Sequence, residues 1–301
     1  MGKVRIITDS SAHFLHPETI ERYRIQVASF TIHLGIQSFR EGIDLDADGF
    51  FRLASQGDPV ATLTAPSVDD FAELYHHLNR ETDQILALVM SRRISQAWDN
   101  ARAASKTLLG RCEIVALDSK TMSAGLAMLV ETAAEIAEEG APLDEVVRIV
   151  RAMLPRVYSV FYVDTLDYLR RNGLLSEAQS ILGTMLDIKP FLTIEEGELI
   201  PMEKVRTQAQ AIDKLVEFVA EFSSLEKLVI LHNTPYPTER TRLLQDQLAI
   251  EFPDYHFPLM MYGPSLASMI GPDGMGIVVY EAPDEDEEEE EDPDVAHPGD
   301  D

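Results

Sequence analysis

The sequence predicts an α/β protein built from two dissimilar units. In the first half, short apolar strand patterns alternate with amphipathic helix patterns, which favours a largely parallel sheet flanked by helices. In the second half, strand patterns meet at tight turns, which favours an α+β unit with a mostly antiparallel sheet. A chain of 301 residues is long enough for two units that each bury a core.

The strands of the first half are short apolar runs that end in polar residues or turns. The run at 85–90 (ILALVM) is wholly apolar, as expected for a strand covered on both faces. Ser67 and Asp70 have the spacing of a capping box, so a helix is expected to begin after Ser67. The other predicted elements are strands 4–7 and 114–117, a strand-rich region 25–39, and helices 68–78, 95–108, 123–139 and 143–153.

The second unit begins near Pro155, where the last of these helices gives way to a new strand. Residues 182–207 predict a helix end, a break at 188–190 (IKP) and two strands joined by a turn at Glu196-Gly197. The predicted strands of this half are 159–163, 191–194, 198–201, 228–231, 257–261 and 277–280, and its helices are 209–222 and 239–250. The predicted units are residues 1–155 and 156–283, followed by a tail at 284–301.

The chain is strongly acidic, with a net charge of −27. The tail at 284–301 contributes −12 and contains no lysine or arginine, which leaves −15 on the rest. An acidic body repels phosphates, so a nucleic-acid-binding surface is not expected. We expect the tail to be disordered, because it has little to bury and its charges repel one another. It either keeps the protein soluble or binds a basic partner or metal ions.

The sequence favours a cytoplasmic protein. It contains no uncharged apolar run of about 18 residues, so no membrane span is expected. Its first residues (MGKVR) lead into a strand pattern instead of the apolar region of a signal peptide. Cys112 is the only cysteine, so an intrachain disulfide and a thiolate metal cage are both excluded.

Two hydroxyl-rich loops are candidates for ligand binding. Residues 62–67 (TLTAPS) lead into a predicted helix, and residues 91–95 (SRRIS) directly follow the buried strand at 85–90. Ligands of open parallel sheets bind at such places, where free backbone N–H groups, a positive helix end and small hydroxyls can hold an anionic oxygen pair. In the alternative interpretation, Ser67 and Ser95 only cap their helices.

Motifs for other chemistry are missing from the sequence. Its eight histidines include no HExxH or similar metal-ligand spacing. The glycine-rich stretch at 271–276 lacks GxGxxG order, and neither a GxSxG motif nor a P-loop occurs. Hydrolysis by a serine–histidine pair therefore has little support.

Short motifs along the whole chain are similar to those of one known family. They are 8–12 (TDSSA), 64–67 (TAPS), 91–97 (SRRISQA), Asp118-Ser119, 166–173 (LDYLRRNG), 182–207, and the Gly-Pro pairs at 263–264 and 271–272. In this order and spacing, which covers nearly all of residues 4–281, they resemble the DegV family of bacterial fatty-acid-binding proteins.

The resemblance implies a lipid carrier that is not an enzyme. DegV proteins enclose one fatty acid between two domains and present its carboxylate to a separate, ATP-dependent fatty acid kinase that is similar to dihydroxyacetone kinases. The resemblance implies no cofactor besides the bound long-chain fatty acid, and at most a transient contact with a membrane surface.

The resemblance also assigns site residues. Thr64 and Ser95 are the best candidates for contacts to the carboxylate, followed by Ser91 and Thr62. Arg206, which lies in the matched Arg-Thr pair, is expected to face the kinase or a phosphate, or else to form an exposed salt bridge.

Three positions depart from the family's pattern around the head group. Arg92 stands where the family has a second serine, Leu174 where it has an arginine, and Met269 where it has a histidine. Met269 therefore predicts a more apolar pocket. Arg92, or alternatively Arg170 and Arg171, restores the lost positive charge by gripping the carboxylate, or each is a solvated surface cation.

Three hypotheses follow from these observations. The leading one is a non-catalytic fatty acid carrier that works with a kinase. The second is a protein of the same fold that binds a different apolar ligand, since the head-group positions have changed. The third is an enzyme that uses the hydroxyl-rich loops for acyl or phosphoryl transfer.

Overall fold

The computed structural model describes residues 2–56, 61–174 and 189–282. The first sheet is parallel throughout, as predicted, and its wholly buried strand at Gln84–Val89 lies in the interior of the sheet. In spatial order the strands are β2 (Gln26–Ala28), β1 (Arg5–Asp9), β6 (Gln84–Val89) and β7 (Glu113–Asp118).

A separate antiparallel sheet of three strands lies beside this sheet. Its central strand is β3 (Thr31–Leu34), flanked by β4 (Gln37–Arg40) and β5 (Thr62–Thr64). The segment Thr62–Thr64, predicted to be a loop, is therefore a strand. Three residues are too few for a period of two to be recognised in the sequence.

Six α-helices are described in this half of the chain, and the last four of them pack against the parallel sheet. In chain order, the six are α1 (Glu18–Arg22), α2 (Ala47–Ala54), α3 (Val68–Leu78), α4 (Ala97–Ser105), α5 (Ser123–Glu139) and α6 (Leu143–Met153). Helix α5 is buried on nearly all sides over its first two turns, because it packs against the first sheet and also against the second. Gly140 ends α5 in a left-handed conformation with φ +102°, as the sequence predicted.

The second sheet has six strands and is antiparallel except for one pair. In spatial order the strands are β10 (Glu198–Val205), β9 (Lys189–Glu195), β8 (Val157–Tyr162), β13 (Met275–Glu281), β11 (Leu225–His232) and β12 (Leu259–Met261). Only β11 and β12 pair in parallel. The helices of this half are α7 (Asp167–Arg171), α8 (Gln208–Ala220), α9 (Glu239–Glu251) and α10 (Pro264–Ile270).

Alternation along the strands gives the second sheet two apolar faces. On β8, Val160 packs into a core shared with α8 and α9, whereas Phe161 packs into the core that contains α5. Strand β13 repeats this pattern with Ile277 and Val278. The second sheet therefore lies between α5 on one side and the pair α8 and α9 on the other.

Several local predictions are confirmed, and others lie beyond the described residues. Ser67 and Asp70 form the predicted capping box, and Glu196-Gly197 form the predicted turn. Pro155 lies in a short 3-10 turn before β8, and the domain boundary drawn there stays a prediction. The predicted helix end at 182–188 and the tail at 284–301 lie outside the described residues. Within the described residues, every helix is too short or too polar to cross a bilayer.

Candidate ligand-binding site

The two hydroxyl-rich segments lead into neighbouring helices that pack against each other, α3 and α4. Strand β5 leads through Pro66 into α3, and residues 91–95 connect β6 to α4. The side-chain amide of Asn100, in α4, donates to the carbonyl oxygen of Pro66 at 2.8 Å. Each segment is also tied to the second half of the chain. Ser91 bonds to Gly197, and the carbonyl of Ala61, the residue before Thr62, accepts from Asn172. Both segments therefore lie at the junction of the two halves.

Thr64 is exposed and belongs to a short hydrogen-bonded chain. Its Oγ1 lies 2.9 Å from Nε2 of His33, whose Nδ1 lies 2.8 Å from Oγ of Ser38. With Nε2 protonated, His33 donates to Thr64, and the hydroxyl hydrogen of Thr64 is then free to donate to an anionic oxygen. Thr62 lies opposite His33 in the register of β3 and β5 and is half-buried.

His33 was not predicted from the sequence as a site residue. The only signal for His33 in the sequence is its position between two apolar residues, Ile32 and Leu34. Both are buried, so His33 lies on the opposite face of β3. Thr64 is 31 residues further along the chain, and no local pattern connects the two.

The two candidate capping serines differ. Ser67 accepts from the N–H of Asp70 at 3.1 Å, while the Asp70 carboxylate accepts the Ser67 N–H at 2.8 Å. The cap interpretation of Ser67 is therefore correct. Ser95 is half-buried, and its Oγ accepts from the N–H of Ala97 at 3.2 Å. Its hydroxyl hydrogen remains available to a ligand.

Ser91 is fully buried and its hydroxyl is engaged on both sides. Its Oγ donates to the carbonyl of Gly197 at 2.7 Å and accepts from the N–H of Arg93 at 3.3 Å. Gly197 has φ +84°, and a Cβ there would lie 2.5 Å from Oγ of Ser91. Ser91 therefore ties the β9–β10 turn to the first half of the chain, which ranks it below Thr64 and Ser95 as a donor to a ligand.

Arg92 lies over an aromatic ring. Its guanidinium carbon is 4.5 Å from the centroid of Trp98, and that of Arg102 is 5.2 Å from the same centroid. The Trp98 ring is fixed because its Nε1–H donates to the carbonyl of Ala116 at 3.0 Å. The side chain of Arg92 is exposed, and its cation–π contact holds the guanidinium at this surface position.

The other predicted head-group positions are apolar or paired with acids. Met269 lies in α10 and is only 1% exposed, and Leu174 packs against the same core. Arg170 forms an exposed ion pair with Asp167 at 3.1 Å. Arg171 is exposed and borders a cleft that Asp167 also lines.

Arg206 is exposed in the short link between β10 and α8. Its N–H donates to Oε1 of Gln210 at 3.0 Å, and Gln210 also caps this helix together with Thr207. A shallow polar groove beside Arg206 is lined by Glu203 and Lys214 as well.

A buried carboxyl pair lies nearby at the end of β1. Glu41 accepts from the N–H and Oγ of Ser265 at 2.8 and 2.9 Å, and from Oγ of Ser10 at 2.7 Å. Burial outweighs these hydrogen bonds and raises the pKa of Glu41 to about 7. Asp9 accepts from the N–H of Met90 at 2.6 Å, and burial raises its pKa to about 6. The pair connects β1, β4, β6 and the start of α10.

Two cavities lie in this part of the molecule, and the first of them borders the carboxyl cluster. One, of about 360 Å³, is lined by Glu41 and by apolar side chains such as Phe14, Ile20 and Leu45. The other, of about 300 Å³, lies between α5 and β11, with Met128 and Val229 on opposite walls. His13 lines both cavities, and burial lowers its pKa. Among the described residues, the lining of these cavities includes neither Thr64 nor Ser95.

Comparison with known proteins agrees with this architecture. The model of the DegV family, described as an uncharacterised protein family, matches residues 3–282. A DegV domain-containing protein of Caldanaerobacter subterraneus subsp. tengcongensis is 31% identical over 286 residues, which cover 93% of this chain and 100% of the relative. One of Streptomyces coelicolor is 32% identical over 281 residues, with 92% and 98% covered.

Two solved structures superpose on nearly the whole chain. A DegV family protein from Thermus thermophilus, described as fatty acid binding, has a TM-score of 0.81 at 26% identity and covers 93% of this chain and 100% of its own. A fatty acid binding DegV family protein from Streptococcus agalactiae has a TM-score of 0.83 at 25% identity, with 94% and 100% covered. The parallel sheet, the mostly antiparallel sheet and these matches together establish that the chain belongs to the DegV family.

Proposed function

We propose that this protein binds one long-chain fatty acid between its two halves and presents the carboxylate at the protein surface. The observation that carries this proposal is the arrangement at the junction: the hydroxyl of Thr64 is exposed, whereas Met269 of the adjacent α10 is fully buried. A ligand with a polar end and a long apolar tail matches this change from surface to interior. The fatty acid binding of the relatives from Thermus and Streptococcus supports the ligand class.

The energetics favour a ligand whose tail supplies most of the affinity and whose head group sets the position. A tail of about 15 methylenes at roughly 0.8 kcal/mol each gives on the order of 12 kcal/mol before the costs of binding. The tail thus dominates the affinity, and a few polar groups suffice to fix the head. Thr64 is the first candidate for the carboxylate, Ser95 the second, and Thr62 and Ser91 support the geometry around them.

We further propose a separate kinase as the partner. Hydroxyl donors can hold a carboxylate but supply no phosphate, so a phosphoryl group has to come from a second, ATP-dependent protein. The partner expected for the family is a fatty acid kinase similar to dihydroxyacetone kinases, which implies a cytoplasmic setting. Arg206 is a candidate for the contact with the kinase. Val205 pairs with Lys189 at the start of β9, and the end of β8 pairs there too. Arg206 therefore lies at the end of the second sheet where β8 leads into α7.

The changed head-group positions favour one alternative. Arg92 stacks on Trp98, and Leu174 and Met269 pack as apolar groups, so the polar contacts expected from the family's serine, arginine and histidine are not reproduced at these three positions. A ligand with a neutral or smaller polar end fits this environment better than a carboxylate. A protein of the same fold that carries another apolar molecule is therefore the second candidate.

Native mass spectrometry of the purified protein, followed by extraction of the lipid, distinguishes these candidates. We expect one long-chain fatty acid per chain. A different co-purified lipid would support the alternative. A protein that co-purifies with no lipid or other apolar ligand, and that takes up no palmitate on incubation, would contradict both.

A second experiment tests the partner. A bacterial fatty acid kinase with ATP is expected to form acyl phosphate from palmitate only when this protein is present and loaded. Arg206→Ala should reduce the rate without releasing the lipid. The matched control is Arg22→Ala, which changes an exposed arginine of α1. A rate that is independent of the carrier would contradict the partnership.

A further inference from the structure

Asn172 is held rigidly at the end of α7. The helix ends in a Schellman motif, in which the N–H of Leu174 donates to the carbonyl of Leu169 at 2.9 Å and that of Gly173 to Arg170 at 3.1 Å. Gly173 has φ +72°, as this motif requires. Leu174 packs against the core that contains Leu169. The backbone of Asn172, just before this closure, therefore has little freedom.

The side-chain amide of Asn172 joins three elements. Its nitrogen donates to the carbonyl oxygens of Ala61 at 3.1 Å, Tyr168 at 3.0 Å and Ser268 at 2.8 Å. An amide group has two hydrogens, so one of them is shared between two carbonyls. The three carbonyl oxygens around this nitrogen also determine the orientation of the amide, because they would repel the amide oxygen if it took the place of the nitrogen.

Two of these carbonyls flank the candidate head-group site. Ala61 is buried and directly precedes β5, which carries Thr62 and Thr64. Ser268 directly precedes Met269 in α10, and α10 packs against β5. The amide of Asn172 thus connects the start of the hydroxyl-bearing strand to the helix that carries the apolar side of the junction.

We propose that Asn172 is a positioning residue, which fixes Thr64 relative to α10 so that the carboxylate and the first methylenes of a fatty acid are held together. This inference rests on the proposed function. Without the amide, β5 keeps its pairing with β3 and its packing against α10 but loses the hydrogen bonds that link its start to α10. Recognition of the carboxylate should then weaken more than binding of the tail.

A comparison of two ligands tests this inference in the full-length, delipidated protein. Palmitate and methyl palmitate share a tail, but only palmitate has an anionic oxygen pair. We expect Asn172→Ala to weaken palmitate binding roughly five- to tenfold, the effect of one or two lost hydrogen bonds, and methyl palmitate binding less than about twofold. Asn79→Ala is the matched control, because the Asn79 amide donates to one carbonyl, that of Thr82, at the far end of α3. It should change neither.

A double-mutant cycle provides the readout that a general loss of stability would not affect. If Asn172 acts through Thr64, Asn172→Ala should add almost nothing to the loss of palmitate affinity caused by Thr64→Ala. Additive losses, equal losses for both ligands, or no loss would overturn the inference. Should Asn172→Ala not fold, Asn172→Ser replaces it with the same expected directions. A wild-type protein that does not bind palmitate would overturn the proposed function, and this inference with it.

Discussion

The candidate head-group residues differ in the use that the protein already makes of their hydroxyls. Ser91 donates its proton to Gly197, whereas Ser95 accepts a hydrogen bond and keeps a proton to donate. Thr64 does the same when Nε2 of His33 carries the proton. A carboxylate needs donors, so the hydrogen-bond pattern ranks Thr64 and Ser95 above Ser91.

Replacing Ser95 tests this selection. Ser95→Ala removes one donor to an anionic group, and we expect fatty acid retention to fall about tenfold while the thermal midpoint changes little. Ser105→Ala is the matched control. Ser105 is the last residue of α4, the helix that follows Ser95, and its hydroxyl bonds only to the carbonyl of Arg102. Lipid occupancy after purification measures the effect, and unchanged occupancy in Ser95→Ala would remove Ser95 from the site.

The buried carboxyl of Glu41 predicts a dependence of stability on pH. Its pKa is raised from 4.5 to about 7, so the folded chain holds this proton more tightly than the unfolded chain does. Its contribution to stability is therefore full below about pH 4.5 and is lost as the pH rises through about 7, by roughly 3 kcal/mol. We expect Glu41→Gln to remove this part of the decline, because glutamine does not titrate. The variant should still fold, since its amide oxygen can accept from Ser265 and its amide nitrogen can face Ser10.

Urea denaturation at several pH values measures this decline. The difference in the free energy of unfolding between Glu41→Gln and the wild type should shift in favour of the variant as the pH rises. The exposed Glu73→Gln should follow the wild type throughout. A variant that loses stability as steeply as the wild type would contradict the assignment to Glu41.

These residues also show what a single sequence can predict. The capping box of Ser67 and Asp70 was predictable because both partners lie within one helical turn. The contact between Glu41 and Ser265 spans 224 residues, and that between Asn172 and Ala61 spans 111. Partners that only the tertiary fold brings together leave no local pattern. The family motif at 166–173 includes Asn172, but it does not indicate which residues the Asn172 amide contacts.

At the scale of elements, the β9–β10 turn connects the two halves. Besides the bond from Ser91 to Gly197, Lys120 pairs with Glu196 at 2.9 Å, and Arg93 pairs with Glu198. Both ion pairs are exposed, so each contributes little, and the buried hydrogen bond of Ser91 is the more specific contact.

Gly197→Ala tests this turn. Alanine would be strained at φ +84°, and its Cβ would lie 2.5 Å from Oγ of Ser91. Gly110 is the matched control, because it has φ +77° but nothing within 4 Å of its Cβ position. Gly110→Ala should lower the free energy of unfolding by about 1–2 kcal/mol, and Gly197→Ala by at least about 1 kcal/mol more. Urea denaturation measures both, and equal losses would show that the Ser91 contact contributes nothing.

Long elements were predictable and short ones were not. The helices Ser123–Glu139 and Leu143–Met153 match their predictions, because their apolar periodicity and the stop at Gly140 are clear in the sequence. Helix α10 was missed, since all seven of its residues are buried and it has no polar face to give a period. Its N-cap, Gly263, makes no side-chain hydrogen bond, and the acid that faces its first turn, Glu41, comes from another part of the chain.

At the scale of the whole molecule, the two halves share one core. Helix α5 contacts both sheets, and α10 packs against β3 and β5 of the first half. An acyl chain held at this junction would contact both halves at once. A ligand that binds only the folded protein stabilises it in proportion to the logarithm of its concentration.

Palmitate should therefore stabilise the entire protein in one transition. At a free concentration about 100 times the Kd, we expect the free energy of unfolding to rise by about 2.7 kcal/mol. Methyl palmitate at the same concentration should raise it less, because its neutral ester accepts weaker hydrogen bonds from Thr64 and Ser95 than a carboxylate does. Equal effects of the two ligands would show that the head group is not recognised.

The most direct measurement is a crystal structure of the protein with palmitate. We expect one acyl chain at the junction of the halves, with its carboxylate within hydrogen-bond distance of Thr64 Oγ1 and its tail beside α10. Side chains that fill this space completely, or a carboxylate bound away from Thr64 and Ser95, would contradict this expectation.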